Sequence, residues 1–367
     1  MKKELIILLF IVPLVFFYVF FDAFHKTVAS KDPGITLQDD FEKLLGSNTD
    51  CWEYIQTVKD KKDIEFYKEI YNKNYSNQFN HSPTFKIPKI VHIIWLGPRP
   101  FPQESVENLR TWMAYHPDWS YKFWTDRKRL PPCTGVQVHY VEDFPFKFLK
   151  DKFNESQNWG EKSDILRYEI LYKEGGVYID HDANCLRPFH GLHRGYDFYA
   201  CLEMPHEKLE EMAVTAGIGI VGSKPGHPII RDAMQTILDR WDEVTKKFSA
   251  NDPLIQAQRV TYRTYIALTY ALQKNLNSPD RSDIVFPASY FYPKYGLKGF
   301  YSEHLYGTTW NNLNVSKKNK YLLDMAEFIR KRDNKILRVE FINLFALLGC
   351  FIFYFLINKR LNNYRKE

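Results

Sequence analysis

The feature that most constrains the fold is a series of short apolar runs that alternate with helical patterns between residues 87 and 182. The run IVHIIWL, residues 90–96, is bounded by Pro88 and Gly97, which is typical of a strand buried on both faces. We predict further strands at 121–125, 136–141 and 177–180, and helices at 105–115, near 146–153 and at 162–173. This alternation predicts an α/β fold with a doubly wound, mostly parallel sheet and helices on both faces.

The helix predicted at 162–173 presents two charged side chains on one face. Ser163 is a natural N-cap for it, with Asp164 in the first turn, where the helix dipole favours a carboxylate. Asp164 and Arg167 are three residues apart and therefore share a helix face. Gly175 is placed to end the helix in a left-handed conformation.

Two carboxylates, Asp180 and Asp182, follow the next predicted strand. In extended backbone they point the same way, whereas His181 points to the other face. Side-by-side carboxylates repel unless a cation lies between them, and a hard divalent ion binds carboxylate and diphosphate oxygens together. A pair of this spacing is also common in solvated turns. The prediction therefore depends on the helix and strand that precede the pair. We predict a site for Mn²⁺ or Mg²⁺ and a nucleotide-diphosphate sugar.

The order of residues 163–182, S-D-x-x-R-Y-x-x-L-Y-x-x-G-G-x-Y-x-D-x-D, resembles the DXD-containing sugar-binding region of glycosyltransferase family 32. That family includes Och1-like α-mannosyltransferases and inositol phosphoceramide mannosyltransferases. Segments 87–97, 117–126, 185–189, 222–228 and 304–310 resemble other parts of the family pattern. The similarity therefore extends over residues 86–312.

The resemblance implies a GT-A fold, a divalent ion that is usually Mn²⁺, and transfer of a hexose with retention at the anomeric carbon. It implies that Asp182 ligates the metal and that Asp180 contacts the donor, with or without a metal bond. Asp164 and Arg167 are implied to hold the donor sugar and a phosphate. Together these four residues are the candidate catalytic set.

Three further residues are implied to complete the donor site. Trp95 would stack on the nucleotide base, His304 would join the metal or diphosphate site, and Trp310 would close over the diphosphate. Two of the three have an alternative that the sequence leaves open: Trp95 suits a core position, and His304 suits an exposed turn. His92, in the same strand as Trp95, is predicted to be a core histidine with its hydrogen bonds satisfied.

Two segments depart from the family pattern. Residues 216–220 read AGIGI where many relatives have an asparagine, and the T-G-P…L-T pattern survives only in part at 264–269. Both are expected to be loops on the acceptor side, so the acceptor stays open between a glycolipid, such as a sphingolipid, and a glycan. A catalytically silent, membrane-tethered carbohydrate- or partner-binding protein with the same fold is the alternative function.

Two apolar segments, residues 5–21 and 341–357, bracket the chain. Each is long enough for a membrane helix, although the second also suits a buried or interfacial helix. We predict an anchor at 1–26, a helical stem or cap with a linker at 27–85, a catalytic domain at 86–325, and a basic juxtamembrane segment with a second membrane helix at 326–367. The expected location is a Golgi- or ER-type membrane in a eukaryote or the inner membrane in a bacterium. Flanking charges leave the orientation undecided.

The net charge of +6 is mild for 367 residues, and the basic residues are spread along the chain. Without a zinc finger or an arginine-rich arm, nucleic acid is excluded as a partner. The predicted partners are a nucleotide-sugar donor, a lipid-linked or glycan acceptor, and a membrane. Of five cysteines, Cys350 lies in an apolar run and is not expected to be bridged, whereas the other four permit up to two disulfides.

Overall fold

A mixed sheet of seven strands lies at the centre of the protein. The computed structural model describes residues 39–79, 82–250, 252–294 and 299–307. The sheet strands are β1 Ile90–Ile94, β2 Ser120–Thr125, β3 Val136–Tyr140, β4 Gly176–Ile179, β6 Phe198–Leu202, β7 Ala216–Ser223 and β8 Asp283–Phe286. A separate pair is formed by β5 Ala183–Cys185 and β9 Ser302–His304.

The strand order is β3-β2-β1-β4-β7-β6-β8. Neighbours from β3 to β4 are parallel, β7 is antiparallel to both β4 and β6, and β8 is parallel to β6. Because most pairs are parallel, the predicted α/β architecture with a mostly parallel sheet is confirmed. The strands predicted at 90–96, 121–125, 136–141 and 177–180 are present within one or two residues of their predicted ends.

The helices are α1 Phe41–Leu45, α2 Val58–Asn74, α3 Gln103–Tyr115, α4 Lys150–Glu155, α5 Trp159–Glu174, α6 His190–Gly195, α7 Pro228–Lys247, α8 Pro253–Val260 and α9 Ile266–Asn275. Short 3-10 turns lie at Asp50–Tyr54, Tyr75–Phe79, Val141–Asp143 and Ala288–Tyr290, and a π-helical turn joins α8 to α9 at Thr261–Tyr265. No helix among the described residues is long and apolar enough to span a bilayer. Both predicted membrane segments and Trp310 lie outside the described residues.

Helix α5 begins earlier than predicted. It starts at Trp159, and the side chain of Asn158 accepts a hydrogen bond from the Glu161 N–H at 3.0 Å. Ser163 is therefore inside the helix, where its hydroxyl donates to the Trp159 carbonyl at 2.9 Å. The predicted Ser163 cap is wrong because the asparagine upstream satisfies the free N–H groups first. Gly175 ends the helix, as predicted, but at φ 65° and ψ −159°, so the predicted left-handed helical conformation is not the one formed. The positive φ still favours glycine.

The described part of the predicted stem or cap at 27–85 contains helices, and α2 packs against the β8 edge of the sheet. The Tyr71 hydroxyl lies 2.8 Å from that of Tyr290, and the Asn74 side chain donates to the Asp283 carbonyl at 3.0 Å. Residues 72–79 continue α2 and form a 3-10 turn. The predicted domain boundaries remain predictions.

The interior of the sheet confirms His92 as a core histidine. Its Nε2 donates to the Gly175 carbonyl at 2.8 Å, and its Nδ1 accepts from the Trp124 indole at 3.2 Å. Burial lowers the pKa of His92 to about 4, so the ring is neutral at pH 7. The side chain therefore joins the end of α5 to β1 and β2.

Four of the five cysteines lie among the described residues, and all four are free thiols: Cys51, Cys133, Cys185 and Cys201. Neither of the two disulfides that the sequence permits is therefore formed. Burial raises the pKa of Cys185 to about 12, so this thiol is protonated and behaves as a small apolar side chain. Cys350 lies outside the described residues.

Candidate active site

Asp180 and Asp182 lie in a tight turn that connects β4 to β5. The Ala183 N–H donates to the Asp180 carbonyl at 3.1 Å, which closes the turn. The predicted extended backbone through residue 182 is therefore wrong. Both carboxylates still reach one point, because the turn reverses the chain around them.

A histidine from a distant segment lies between the two carboxylates. Strand β9 pairs with β5 so that His304 is opposite Ala183. Its Nε2 lies 3.2 Å from Asp180 Oδ2 and 3.4 Å from Asp182 Oδ1. The possible ligand atoms of the three side chains all lie within 4.8 Å of one another. We call Asp180, Asp182 and His304 the ligand cluster.

Hydrogen bonds assign the proton of His304. The Tyr306 N–H donates to Nδ1 at 3.2 Å, so the ring proton is on Nε2, between the carboxylates. Burial alone would lower the pKa of His304, but hydrogen bonding to Asp180 and the charge of Asp182 raise it. The imidazole therefore offsets part of the repulsion between the two carboxylates.

The chemistry of the ligand cluster fits Mn²⁺, which accepts both carboxylate and imidazole ligands. Two glycines leave the space open: a Cβ on Gly219 would lie 2.6 Å from Asp180 Oδ2, and one on Gly307 would lie 3.0 Å from Asp182 Oδ2. The Gly307 N–H also donates to Asp182 Oδ2. Nε2 of His304 could serve as a ligand only with its proton moved to Nδ1, which would end the Tyr306 contact.

Arg167 places a buried positive charge beside the ligand cluster. Its guanidinium donates to Asp164 at 2.6 Å and to the Ile218 carbonyl at 2.7 Å, and lies 3.4 Å from Asp180 Oδ1. Burial alone would raise the pKa of Asp180, but Arg167 and His304 lower it below its ordinary value. Asp180 is thus held as an anion, with Tyr178 donating to Oδ1 at 2.6 Å.

Asp164 lies behind Arg167. Its second oxygen accepts from the Thr264 hydroxyl at 2.6 Å. Burial raises the pKa of Asp164 to about 6, against the opposing effect of Arg167. Asp164 therefore fixes the guanidinium of Arg167, and its side chain is 10% exposed. Arg167 does not pair with Glu169, because the Glu169 carboxylate accepts hydrogen bonds from three backbone N–H groups at residues 147–149.

Trp95 is only 7% exposed, and its indole donates to the Arg99 carbonyl at 2.9 Å. Its ring packs edge-on against His181, 4.8 Å between centroids. His181 Nδ1 is 2.8 Å from the Ser105 hydroxyl, so this histidine faces away from the ligand cluster as predicted. Trp95 therefore offers its ring to the core in this conformation, and its predicted contact with a base stays a prediction.

Trp159, the first residue of α5, was not among the site residues predicted from the sequence. It is 41% exposed and lies over Gly97, where a Cβ would be 2.8 Å from the indole. Arg127 and Lys162 each lie 5.7 Å from its ring centroid. An exposed aromatic ring with two cations at the carboxyl ends of β1 and β2 is suited to a nucleotide. Because the helix was predicted to begin at residue 162, Trp159 was not recognised as an aromatic residue in its first turn.

The two segments that depart from the family pattern are not loops. Residues 216–220 belong to β7, and residues 264–269 belong to the π-helical turn and α9. The Gly219 carbonyl accepts the Asp180 N–H at 2.7 Å, and the Ile218 carbonyl binds Arg167. The predicted acceptor loops are thus buried elements, and β7 directly supports the donor side.

The segment of chain that contains Asp164, Arg167, Asp180 and Asp182 is also similar to known proteins. Residues 102–199 match the family described as glycosyltransferase sugar-binding region containing DXD motif. The predicted resemblance to glycosyltransferase family 32 is confirmed over these residues, which are similar to the DXD-containing region of glycosyltransferases.

Among individual relatives, inositol phosphoceramide mannosyltransferase 3 of Schizosaccharomyces pombe is 28% identical over 48% of this chain and 43% of its own. Mannosyl phosphorylinositol ceramide synthase CSH1 of Saccharomyces cerevisiae is 25% identical over 76% of this chain and 66% of its own. The chain thus covers less than two thirds of each of these relatives. A solved structure titled PaToxG Glycosyltransferase is similar with a TM-score of 0.39 and 16% identity, covering 59% of this chain and 78% of that one.

Proposed function

We propose that this protein is a GT-A, metal-dependent glycosyltransferase that moves a hexose from a nucleotide-diphosphate sugar to a hydroxyl acceptor. The observation that carries the proposal is the ligand cluster, with its atoms within 4.8 Å of one another and the Arg167 guanidinium 3.4 Å from Asp180. Two carboxylates, an imidazole and an adjacent guanidinium suit a divalent ion bound to a diphosphate. The alternation of parallel strands and helices supports the GT-A assignment.

Mannose is the first candidate for the hexose, and an inositol-containing sphingolipid is the first candidate for the acceptor. The names of the two fungal relatives support this choice. A lipid acceptor agrees with the predicted membrane anchor at 1–26 and membrane helix at 341–357. We place the catalytic domain at 86–325 between them.

In the proposed reaction the acceptor oxygen bonds to the anomeric carbon while the bond from that carbon to the diphosphate breaks. The diphosphate leaves with the bonding electrons, its departing oxygen takes the proton of the acceptor hydroxyl on the same face of the sugar, and the anomeric configuration is retained. A bound divalent ion would stabilise the charge on the leaving diphosphate. Asp180 and Asp182 would ligate it with His304, and Arg167 would hold a phosphate or the donor sugar.

A donor screen with the full chain in detergent tests the proposal. We expect Mn²⁺-dependent nucleotide release from one of UDP-glucose, UDP-galactose, UDP-GlcNAc and GDP-mannose, with GDP-mannose preferred, and loss of release with EDTA. Asp182→Asn should abolish release, whereas Asp151→Asn, at an exposed aspartate of α4, should not. Normal release by the Asp182 variant would contradict the site. Nucleotide binding without turnover of any donor would favour the silent binding protein.

A further inference from the structure

A second group of polar side chains lies beside the ligand cluster and takes no part in it. Its members come from the β6–β7 connection, the π-helical turn and the segment after β8, and they are Glu203, His206, Thr215, Tyr265 and Lys294. We call them the Glu203 cluster. The side chains of Glu203 and Lys294 are 17% and 23% exposed, so solvent and a ligand can reach them.

Glu203 is held in place from several directions. It follows the carboxyl end of β6, and its N–H donates to the Thr215 carbonyl at 2.9 Å. Lys294 Nζ lies 3.1 Å from Oε2. Burial and the charge of the neighbouring Glu203 carboxylate raise the pKa of Tyr265. Burial alone would raise the pKa of Glu203, but Lys294 and His206 lower it, so the side chain is an anion.

The connection that carries Glu203 is itself fixed. The His206 N–H donates to the Ala213 carbonyl at 3.1 Å, and Nε2 of His206 lies 2.7 Å from the Thr215 hydroxyl. At its tip, Glu210 has a positive φ of 47° and is held by Arg240 and Tyr270, each at 2.5 Å. A non-glycine residue keeps such a backbone only when its surroundings enforce it. The cluster is therefore a built arrangement, not a chance meeting of surface side chains.

The π-helical turn joins the Glu203 cluster to the donor side through consecutive residues. Thr264 donates to Asp164, which holds Arg167. The Tyr265 hydroxyl lies 3.0 Å from the hydroxyl of Thr215, whose carbonyl accepts the Glu203 N–H. Single π-helical turns inside helices occur frequently at functional sites. One π-helical turn thus helps to position both the Arg167 guanidinium and the Glu203 carboxylate.

On the other side, Tyr306 lies between the two clusters. Its ring centroid is 4.7 Å from that of His304 and 4.8 Å from Lys294 Nζ. A ring that binds across Glu203 and Lys294 would therefore lie against a tyrosine face and next to the ligand cluster. Aromatic faces pack against the C–H groups of sugars and cyclitols, while carboxylate and ammonium bind their hydroxyls.

We propose that Glu203 and Lys294 bind the hydroxyl-bearing ring of the acceptor, a sugar or a cyclitol, and hold it beside the ligand cluster. The inference rests on the proposed glycosyltransferase function and assigns the acceptor side of that same site. Tyr265 is a positioning residue, because it acts on the acceptor through Glu203.

The test separates use of the donor from use of the acceptor. Full-length Glu203→Gln and Lys294→Gln are assayed with GDP-mannose and Mn²⁺ for nucleotide release without acceptor and for transfer. The acceptors are inositol phosphoceramide in detergent micelles and methyl α-mannoside. Glu207→Gln, at an exposed glutamate of the same connection, is the matched control. Thermal unfolding is measured for every variant.

We expect both cluster variants to raise the KM for the acceptor and to lower transfer by about tenfold or more, since each loses a charged hydrogen bond. Nucleotide release without acceptor should stay within about twofold of the unchanged protein. The acceptor whose transfer falls identifies the ring as cyclitol or sugar. Unchanged transfer, or equal loss of transfer and release in a folded variant, would overturn the inference. Absence of Mn²⁺-dependent release in the unchanged protein would instead overturn the proposed function.

Discussion

Gly219→Ala is the sharpest probe of the ligand cluster, because it adds one methyl group against both Asp180 and His304. Gly219 lies in β7 without a positive φ, so alanine fits the backbone. The new Cβ would lie 2.6 Å from Asp180 Oδ2 and 3.1 Å from His304 Nε2. Ordinary contact begins at 3.4 Å, so the carboxylate would have to move by about 0.8 Å.

A displacement of that size should reduce turnover of the donor by about a hundredfold, since a reacting group misplaced by about 1 Å loses that much. Crowding in a packed strand should lower the free energy of unfolding by about 1–3 kcal/mol. Nucleotide release measures the first effect, denaturant unfolding the second, and calorimetric titration with Mn²⁺ shows whether the ion still binds.

Gly226→Ala is the control for loss of stability alone. Gly226 has φ 70° with nothing near its would-be Cβ, so alanine there costs about 1–2 kcal/mol of backbone strain away from the ligand cluster. We expect normal Mn²⁺ binding and turnover from this variant. If Gly219→Ala kept Mn²⁺ affinity and turnover at the level of the control, Asp180 would not be a ligand and the reasoning would fail.

Three further predictions concern other parts of the fold. Trp159→Ala should weaken nucleotide binding by about 1–3 kcal/mol, the usual contribution of base stacking, in a calorimetric titration with GDP and Mn²⁺; unchanged affinity would leave Trp95 as the candidate platform. His92 has its pKa lowered to about 4, so its stabilising effect is complete above pH 6.5 and is lost as the pH falls towards 4. The free energy of unfolding should drop by about 3 kcal/mol across that window, and His92→Gln should flatten the profile measured by denaturant unfolding. In urea unfolding, Asn158→Ala should lower the free energy of unfolding by about 1 kcal/mol and Ser163→Ala by less than about 0.5 kcal/mol. A larger loss for Ser163→Ala than for Asn158→Ala would show that Ser163 is the cap.

The parts of the fold that were predicted correctly depend on local patterns. The apolar run at 90–96 and the alternation after it are sufficient to place β1 to β4, because burial and periodicity act over a few residues. The start of α5 was misjudged because two capping residues, Asn158 and Ser163, lie within one segment. Only the hydrogen bonds distinguish them.

The sequence predicted which residues form the candidate site better than it predicted how they are arranged in space. Asp180 and Asp182 were predicted from their spacing after a strand, and His304 from the family resemblance. The contact between Asp180 and His304, which are 124 positions apart, depends on the pairing of β5 with β9. No period in the sequence specifies such a pairing. Glu203 was missed for a related reason, since it belongs to no motif and gains its partners only from distant segments.

The pairing of β5 with β9 also has a consequence for the order of folding. The two aspartates are synthesised long before the histidine that lies between them, so a nascent chain carries two adjacent carboxylates and an unpaired β5 until residue 304 has emerged from the ribosome. A ligand that needs all three side chains can select only the finished domain, and by mass action it would favour that state over any partly folded one. Pairing of β5 with β9 is thus the folding step at which the proposed metal site would first be complete.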